Sequence, residues 1–170
     1  IEVIAEMFLA GIITQDGIVD GALAEHTERV RSNGRTWSYV LHFSQHESQR
    51  DIVVTQNDVR QIQLAKAALY AGIKLLMDKM GVATVDRIRL AGAFGSHISV
   101  EHAMVLGLIP DCALSNVSSA GNAAGVGARI ALLNRESRVS IQQTVNKAER
   151  IETATEADFH LAIRPDTSLI

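Results

Sequence analysis

The sequence predicts an α/β fold in which helices flank a central mixed sheet, and three segments carry that prediction. Residues 56–80 form the longest helical pattern, and residues 36–43 alternate polar and apolar side chains. Residues 85–91 form a strand, with Ile88 and Leu90 on one face, that runs directly into glycine. Long helices that alternate with strands are typical of layered α/β folds. The central sheet is therefore expected to lie between the helix at 56–80 and a second helix at 120–134.

The first part of the chain is predicted to hold one helix and one hairpin. Residues 1–10 are helical in composition, and Gly11 is suited to end that helix. Residues 11–36 are rich in turn-forming residues, which predicts irregular structure. The strand at 36–43 and a second strand at 52–55 are separated by a polar stretch, which predicts an antiparallel hairpin.

The long helix at 56–80 has clear signals at both ends. Thr55 and Asp58 have the spacing of a capping box, with Asp in place of the usual Glu, and Gly81 is expected to end the helix. Lys66 interrupts an otherwise apolar stripe at helical spacing. That stripe consists of Val59, Ile62, Leu69, Ile73, Leu76 and Met80.

The second half is predicted from the same signals. Ser99 is expected to cap a short helix that ends near Leu106. The elements expected after it are helices at 120–134 and 137–149, a strand at 151–154, a helical or mixed segment at 156–163 and a disordered tail at 164–170.

Composition excludes several classes of function. The chain has 170 residues, 47% hydrophobic content and a net charge of −3, so it can bury a core and lacks the basic surface of a nucleic-acid-binding protein. No apolar run is long enough to span a membrane, and a single cysteine is compatible with the cytoplasm. His42, His46, His97 and His102 have no carboxylate or cysteine pattern around them, so no metal site is predicted.

Two small-residue segments about thirty positions apart are the most informative feature. In the first, residues 87–98, Gly92 and Gly95 remove Cβ atoms directly after a strand. In the second, residues 119–133, the first turns of a predicted helix consist mostly of glycine and alanine. A glycine turn after a strand, with a bare helix nearby, leaves room for a phosphate or a sugar beside the backbone.

These segments carry a family resemblance. RLAGAFGS at 89–96 and AGNAAGVGAR at 120–129, after a long capped helix, resemble the second half of an actin/Hsp70/sugar-kinase ATPase domain of ribonuclease H-like fold. Within that superfamily, the stretches at 5–13 and 101–111 make the chain similar to the C-terminal domain of the reductive activators of corrinoid proteins. The resemblance covers residues 4 to about 152.

The resemblance implies a function that this chain alone cannot carry. Proteins of this family couple ATP and Mg²⁺ to the reduction of a Co(II) corrinoid to Co(I), with electrons from a ferredoxin-type [2Fe–2S] domain. The implied partner is a corrinoid-carrying methyltransferase protein, and a homodimer is expected. One cysteine cannot ligate such a cluster, which needs four thiolates. Residues 1–170 are therefore expected to be a single C-terminal lobe of a longer iron–sulfur protein, with the phosphate loops and metal ligands upstream.

The resemblance also implies a nucleotide site. Gly92, Ala93, Phe94 and Gly95 match the adenosine motif, whose backbone meets the sugar and α-phosphate; the alternative is an ordinary strand–turn with two glycines. An open space beside this turn favours nucleotide binding, whereas large side chains filling it favour a non-catalytic docking and dimerisation module.

Two further groups of residues are implied by position. Gln63 and Lys66 lie on the helix that offers polar side chains to adenine in Hsp70-like relatives, although Lys66 is better explained as a lysine whose stem lies along an apolar surface. Gly121, Asn122 and Gly125 match a hinge helix between the two halves, or else mark tight helix packing. A sugar or acetate kinase is a weaker alternative, because no aspartate has an evident catalytic assignment.

Overall fold

The computed structural model describes residues 1–46, 48–152 and 156. Within them the chain is an α/β structure with two sheets. In chain order the elements are α1 Glu2–Leu9, β1 Val30–Asn33, β2 Thr36–His42, β3 Ile52–Thr55, α2 Gln56–Met80, β4 Ile88–Ala91, α3 Gly92–His97, α4 Val100–Val105, β5 Val117–Gly121, α5 Ala123–Leu133 and α6 Arg135–Lys147. Two short 3₁₀ helices, Gly21–Glu25 and Leu114–Asn116, lie in the connections.

The first sheet is an antiparallel meander in the order β1-β2-β3. The predicted hairpin of β2 and β3 is confirmed, with Tyr39 paired to Val54. Strand β1 was not predicted, because residues 11–36 were expected to be irregular. Its sequence gives little signal: only Val30 is buried, and the three polar residues after it are exposed.

The second sheet consists of β4 and β5, which run parallel, with Ile88 opposite Val117 and Leu90 opposite Ser119. The predicted α/β class is confirmed, but the described strands form two sheets instead of one central sheet. The reason lies in the connections. Parallel neighbours need a long crossover, here supplied by α3 and α4, whereas the antiparallel strands of the meander are joined by the shorter connections at 34–35 and 43–51.

Helix α2 follows its sequence signals closely at both ends. The Thr55 hydroxyl accepts a hydrogen bond from the backbone N–H of Asp58, and the Asp58 carboxylate accepts one from the backbone N–H of Thr55. Gly81 ends the helix in the left-handed conformation, with φ +66°. The burial pattern differs from the predicted stripe, because the residues that are buried are Val59, Gln63, Ala71 and Leu75. In the C-terminal half, Leu69, Leu76 and Met80 are exposed.

The main core lies where α1 and α4 pack together and meet the first sheet. Ala103 and Leu106 of the α4 segment are fully buried, and Ile4 and Met7 contribute from α1. This core fixes the beginning of α1 close to the segment that follows β4. It therefore positions the residues of the candidate site.

Several predicted boundaries in the second half are corrected. The strand expected at 85–91 begins at Ile88, and residues 92–97, expected as a turn, form helix α3. The helix expected from residue 120 begins at Ala123, because residues 117–121 form β5. Helix α6 is confirmed with its start two residues earlier.

The remaining predictions concern the C-terminus. Residues 151 and 152 are not in a strand. The rest of the predicted strand, nearly all of the segment at 156–163 and the tail at 164–170 lie outside the described residues. Of the helices that the structure describes, none is both long enough and apolar enough to cross a membrane.

Candidate functional site

Gly92 and Gly95 serve two different purposes after β4. Gly92 has φ +92°, and a Cβ added to it would have no atom within 4 Å, so the space beside it is open. Gly95 is buried, and a Cβ there would lie 2.9 Å from both the carbonyl carbon and the Cβ of Leu90. Gly92 therefore permits the turn and leaves room beside it, whereas Gly95 lets α3 pack tightly against its own strand.

Helix α3 presents one side to a cavity of about 440 Å³. Ala93 and His97, one helical turn apart, line it together with Ile98, and so do Ile1 and Glu2 at the start of α1. Phe94 lies in the same helix. Of the predicted motif, Ala93 lines this cavity, so the space beside the first turn of α3 is not filled by large side chains. Nucleotide binding by the motif stays a prediction.

The Glu2 wall of this cavity is held by a hydrogen-bond network that links α1 to α4. Oε1 of Glu2 accepts the backbone N–H of Ser99 at 2.9 Å, and the Ser99 hydroxyl caps α4. His102 joins Ser99 Oγ and Glu6 Oε1, each at 2.7 Å. The N–H of Ser99 is the main cause that lowers the pKa of Glu2.

Sequence reasoning did not identify Glu2 as a site residue. It lies 97 positions from Ser99, and nothing in the local pattern links the two residues. The only local signal was an acidic side chain in the first turn of a helix, which is common for stability alone.

Gln63 has a different environment from the one implied by the resemblance. It is only 3% exposed, and its Nε2 donates a hydrogen bond to the carbonyl oxygen of Asp16 at 3.1 Å. The amide also packs so closely against Gly17 that a Cβ there would collide with it. These contacts make Gln63 a support for the Asp16–Gly17 turn.

Lys66 lies one turn further along α2, half-buried, with its stem beside the turn that follows α4. A Cβ added to Gly107 would be 3.3 Å from the Lys66 Nζ, and burial lowers the pKa of the ammonium group. This matches the alternative of a lysine lying along an apolar surface. Neither Lys66 nor Gln63 is among the residues that line the cavity beside Ala93.

The second glycine segment begins on a strand. Gly121 is the last residue of β5, with φ +57°, and Asn122 caps α5 by accepting the backbone N–H of Gly125 at 2.9 Å. A Cβ on Gly125 would lie 2.7 Å from the Asn122 amide nitrogen. Gly125 therefore makes room for the cap of its own helix. The hinge role of these three residues stays a prediction.

The chain does not offer the ligands of an iron–sulfur cluster. Cys112 is half-buried and its thiol donates to the carbonyl oxygen of Asp86 at 3.4 Å. No group of three or more histidine, cysteine, aspartate or glutamate residues suited to a metal ion occurs in the described parts of the chain. A [2Fe–2S] cluster needs four thiolates, so the donor set here does not fit one.

Comparison with known proteins identifies the family of this chain. Residues 1–168 match the family model for the C-terminal domain of RACo, the ASKHA domain. The chain belongs to this family. Since ASKHA domains are the actin/Hsp70/sugar-kinase type of ATPase fold, the resemblance noted from the glycine motifs is confirmed, and so is the fold class.

Two individual proteins are similar to the chain. The corrinoid activation enzyme RamQ of Eubacterium limosum is 35% identical over 167 residues, which cover 94% of this chain and 28% of RamQ. A solved structure of a reductive activator for a corrinoid, iron–sulfur protein superposes with a TM-score of 0.82 at 28% identity, over 98% of this chain and 27% of the activator. The chain therefore spans little more than a quarter of the length of either relative.

Proposed function

We propose that this chain is the nucleotide-binding lobe of an ATP-dependent reductive activator of corrinoid proteins. In the longer protein, one electron would convert a Co(II) corrinoid to Co(I), and ATP with water would yield ADP and phosphate. The electron would come from a [2Fe–2S] domain outside these 170 residues. The partner would be a corrinoid-carrying methyltransferase protein in the cytoplasm, and the activator would be a homodimer.

The observation that carries this proposal is the open turn at Gly92 in a chain of the corrinoid-activator family. A positive φ at the end of a strand, with nothing within 4 Å of the missing Cβ, leaves backbone accessible to a ligand. The adjoining cavity beside Ala93 and His97 has space for part of a nucleotide. The backbone of residues 92–95 would bind the sugar and α-phosphate region.

Lys66 is retained in the proposal only as a residue near the adenine side, and Gln63 is left out. Gln63 is 3% exposed and its Nε2 already donates to the Asp16 carbonyl, so its burial and this hydrogen bond favour a structural role. ATP-linked Mg²⁺ and the catalytic groups would be held by residues outside this chain. The role of the chain is then to bind and position the nucleotide and to couple nucleotide binding to the rest of the longer protein.

A docking and dimerisation module is the second candidate, and the exposed apolar side chains favour it. Leu132 and Leu133 at the end of α5 are about four-fifths exposed, and neither α5 nor α6 has a buried residue. Such surface is typical of a face that another domain or subunit covers. The two candidates are compatible, since a nucleotide-binding lobe also packs against the rest of its protein.

The test uses the longer protein that carries this chain, with a corrinoid-carrying methyltransferase protein in the Co(II) state under anaerobic reducing conditions. Visible absorption spectra would follow the loss of Co(II) and the appearance of Co(I). We expect Co(I) to accumulate with ATP and not with a non-hydrolysable analogue. Equal accumulation with and without ATP would refute the proposal and leave the docking module.

A further inference from the structure

The C-terminal half of α2 has an apolar face that the described chain leaves largely uncovered. Leu69, Leu76 and Met80 lie on this face at helical spacing and are 43%, 49% and 75% exposed. A groove of about 410 Å³, here named the α2 groove, runs beside them and is lined from the helix by Leu69, Ile73 and Leu76. A contiguous apolar surface of this kind is typical of a face that another segment covers.

The described chain returns to this face after α6. Glu149 and Ile151 line the α2 groove together with the helix. Further on, the Glu156 carboxylate lies 2.8 Å from the Nζ of Lys79 near the end of α2. An exposed ion pair contributes little stability, so this contact is informative for its position. It brings the residues that follow Glu156 to one end of the uncovered face.

The sequence after Glu156 has the side chains needed to cover this face. Large apolar residues occupy every second position from 159 to 163: Phe159, Leu161 and Ile163. In an extended backbone such residues point to one side and lie roughly 6.6 Å apart, close to the rise of about 5.4 Å for one helical turn. Phe159 follows Glu156 by three residues, a reach of about 10 Å, so it can contact Met80.

We propose that residues 159–163 dock along the α2 groove, with Phe159 beside Met80 and the two later apolar side chains directed toward Leu69. The occupant is a segment of the same chain, and the inference does not depend on nucleotide binding. A segment already held beside its site by a short tether has an effective concentration in roughly the millimolar range. It is therefore favoured over a second copy of the protein, which would have to reach the same face from solution.

The test places the photoreactive residue benzoylphenylalanine at position 80 of the longer protein, in place of the exposed Met80. After irradiation and digestion, mass spectrometry identifies the captured peptide. We expect a crosslink within one polypeptide, to the peptide that contains Phe159. Position 70 is the matched control, because Tyr70 is on the same helix, is 51% exposed and does not line the α2 groove. Benzoylphenylalanine at Tyr70 should not capture that peptide.

Two variants that add the same charge to the same C-terminal stretch complete the test. Burial of a Phe side chain corresponds to roughly ten-fold or more in an equilibrium constant. Phe159→Asp should therefore lower the ratio of docked to undocked segment by about this factor and reduce the yield of the crosslink, whereas Ser168→Asp should keep the wild-type yield.

Three results would overturn the inference. The first is a crosslink from position 80 to a second copy or to residues outside these 170, because another occupant then covers the face. The second is a yield at position 80 no higher than at position 70. The third is an unchanged yield in Phe159→Asp.

Discussion

Gly92→Ala tests the nucleotide-binding turn with the smallest possible change. The residue has φ +92°, a region that residues with a Cβ rarely adopt, and no atom lies within 4 Å of the added methyl group. The cost to folding is therefore backbone strain alone, with no steric clash inside the chain. Strain of this kind costs about 1–3 kcal/mol.

That cost predicts a measurable but tolerable loss of stability. For a chain of this size, 1 kcal/mol corresponds to a change of about 2–4 °C in the melting temperature, so the variant should melt about 2–12 °C lower. The same methyl group would project into the open space where the ligand is proposed to meet the backbone. We therefore expect the affinity for ATP to fall at least ten-fold in the longer protein.

Gly81→Ala separates the two effects. Gly81 has φ +66° at the end of α2, and a Cβ there also meets nothing within 4 Å, so this substitution introduces the same kind of strain. It lies at the end of a helix and does not line the cavity. Its melting temperature should fall similarly while its affinity for ATP stays at the wild-type value. If Gly92→Ala binds ATP as tightly as Gly81→Ala, the backbone of the turn does not contact the nucleotide.

Four further variants test the fold and the site. Hydrogen bonds from Thr55 lower the pKa of Asp58, so the ionised form of Asp58 stabilises the protein. In denaturant titrations, the wild type should therefore have a higher free energy of unfolding than Asp58→Asn. This difference should be largest at neutral pH and disappear as the pH falls below about 4. Leu106→Ala should lose about 2–5 kcal/mol in the same assay because Leu106 is fully buried, whereas Leu133→Ala, at an exposed site, should change stability by less than about 0.5 kcal/mol. Gln63→Ala should lose about 1–3 kcal/mol because the Asp16 carbonyl is left unpaired, and calorimetry should show an unchanged affinity for ATP; a selective loss of ATP binding would instead make Gln63 an adenine contact.

The parts of the fold that could be predicted are those encoded by neighbouring residues. Helix α2 begins and ends where Thr55, Asp58 and Gly81 place its boundaries, because a capping box and a left-handed glycine act within one turn. The hairpin of β2 and β3 followed from alternating side chains. Strand β1 was missed because its exposed polar residues leave no alternation to detect.

The errors came from contacts that are distant in the sequence. Residues 120 and 121 are small and were predicted to begin a helix, but pairing with β4 places them in a strand, and Asn122 caps the helix instead. The hydrogen bond from Gln63 to the Asp16 carbonyl likewise joins residues 47 positions apart, so the local pattern could not show it, and the adenine role of Gln63 stays a prediction. The wall at Glu2 depends on Ser99, almost a hundred residues away, so local pattern could not reveal it.

The pairing of β4 with β5 has a consequence for how the chain tolerates changes in length. The two strands end at the same edge, Ala91 lies opposite Gly121, and each strand is followed or closed by a positive-φ glycine. A residue inserted between the strands can be absorbed in the loops around residue 112. A residue inserted within either strand would move the glycine that follows it by about 3.3 Å relative to the other strand. The register already shifts once, between Leu90 and Ala91, where β5 has one extra residue. Insertions and deletions should therefore be tolerated in the connection between the two glycine turns and not within β4 or β5, because the pairing of the two strands fixes the distance between the turns.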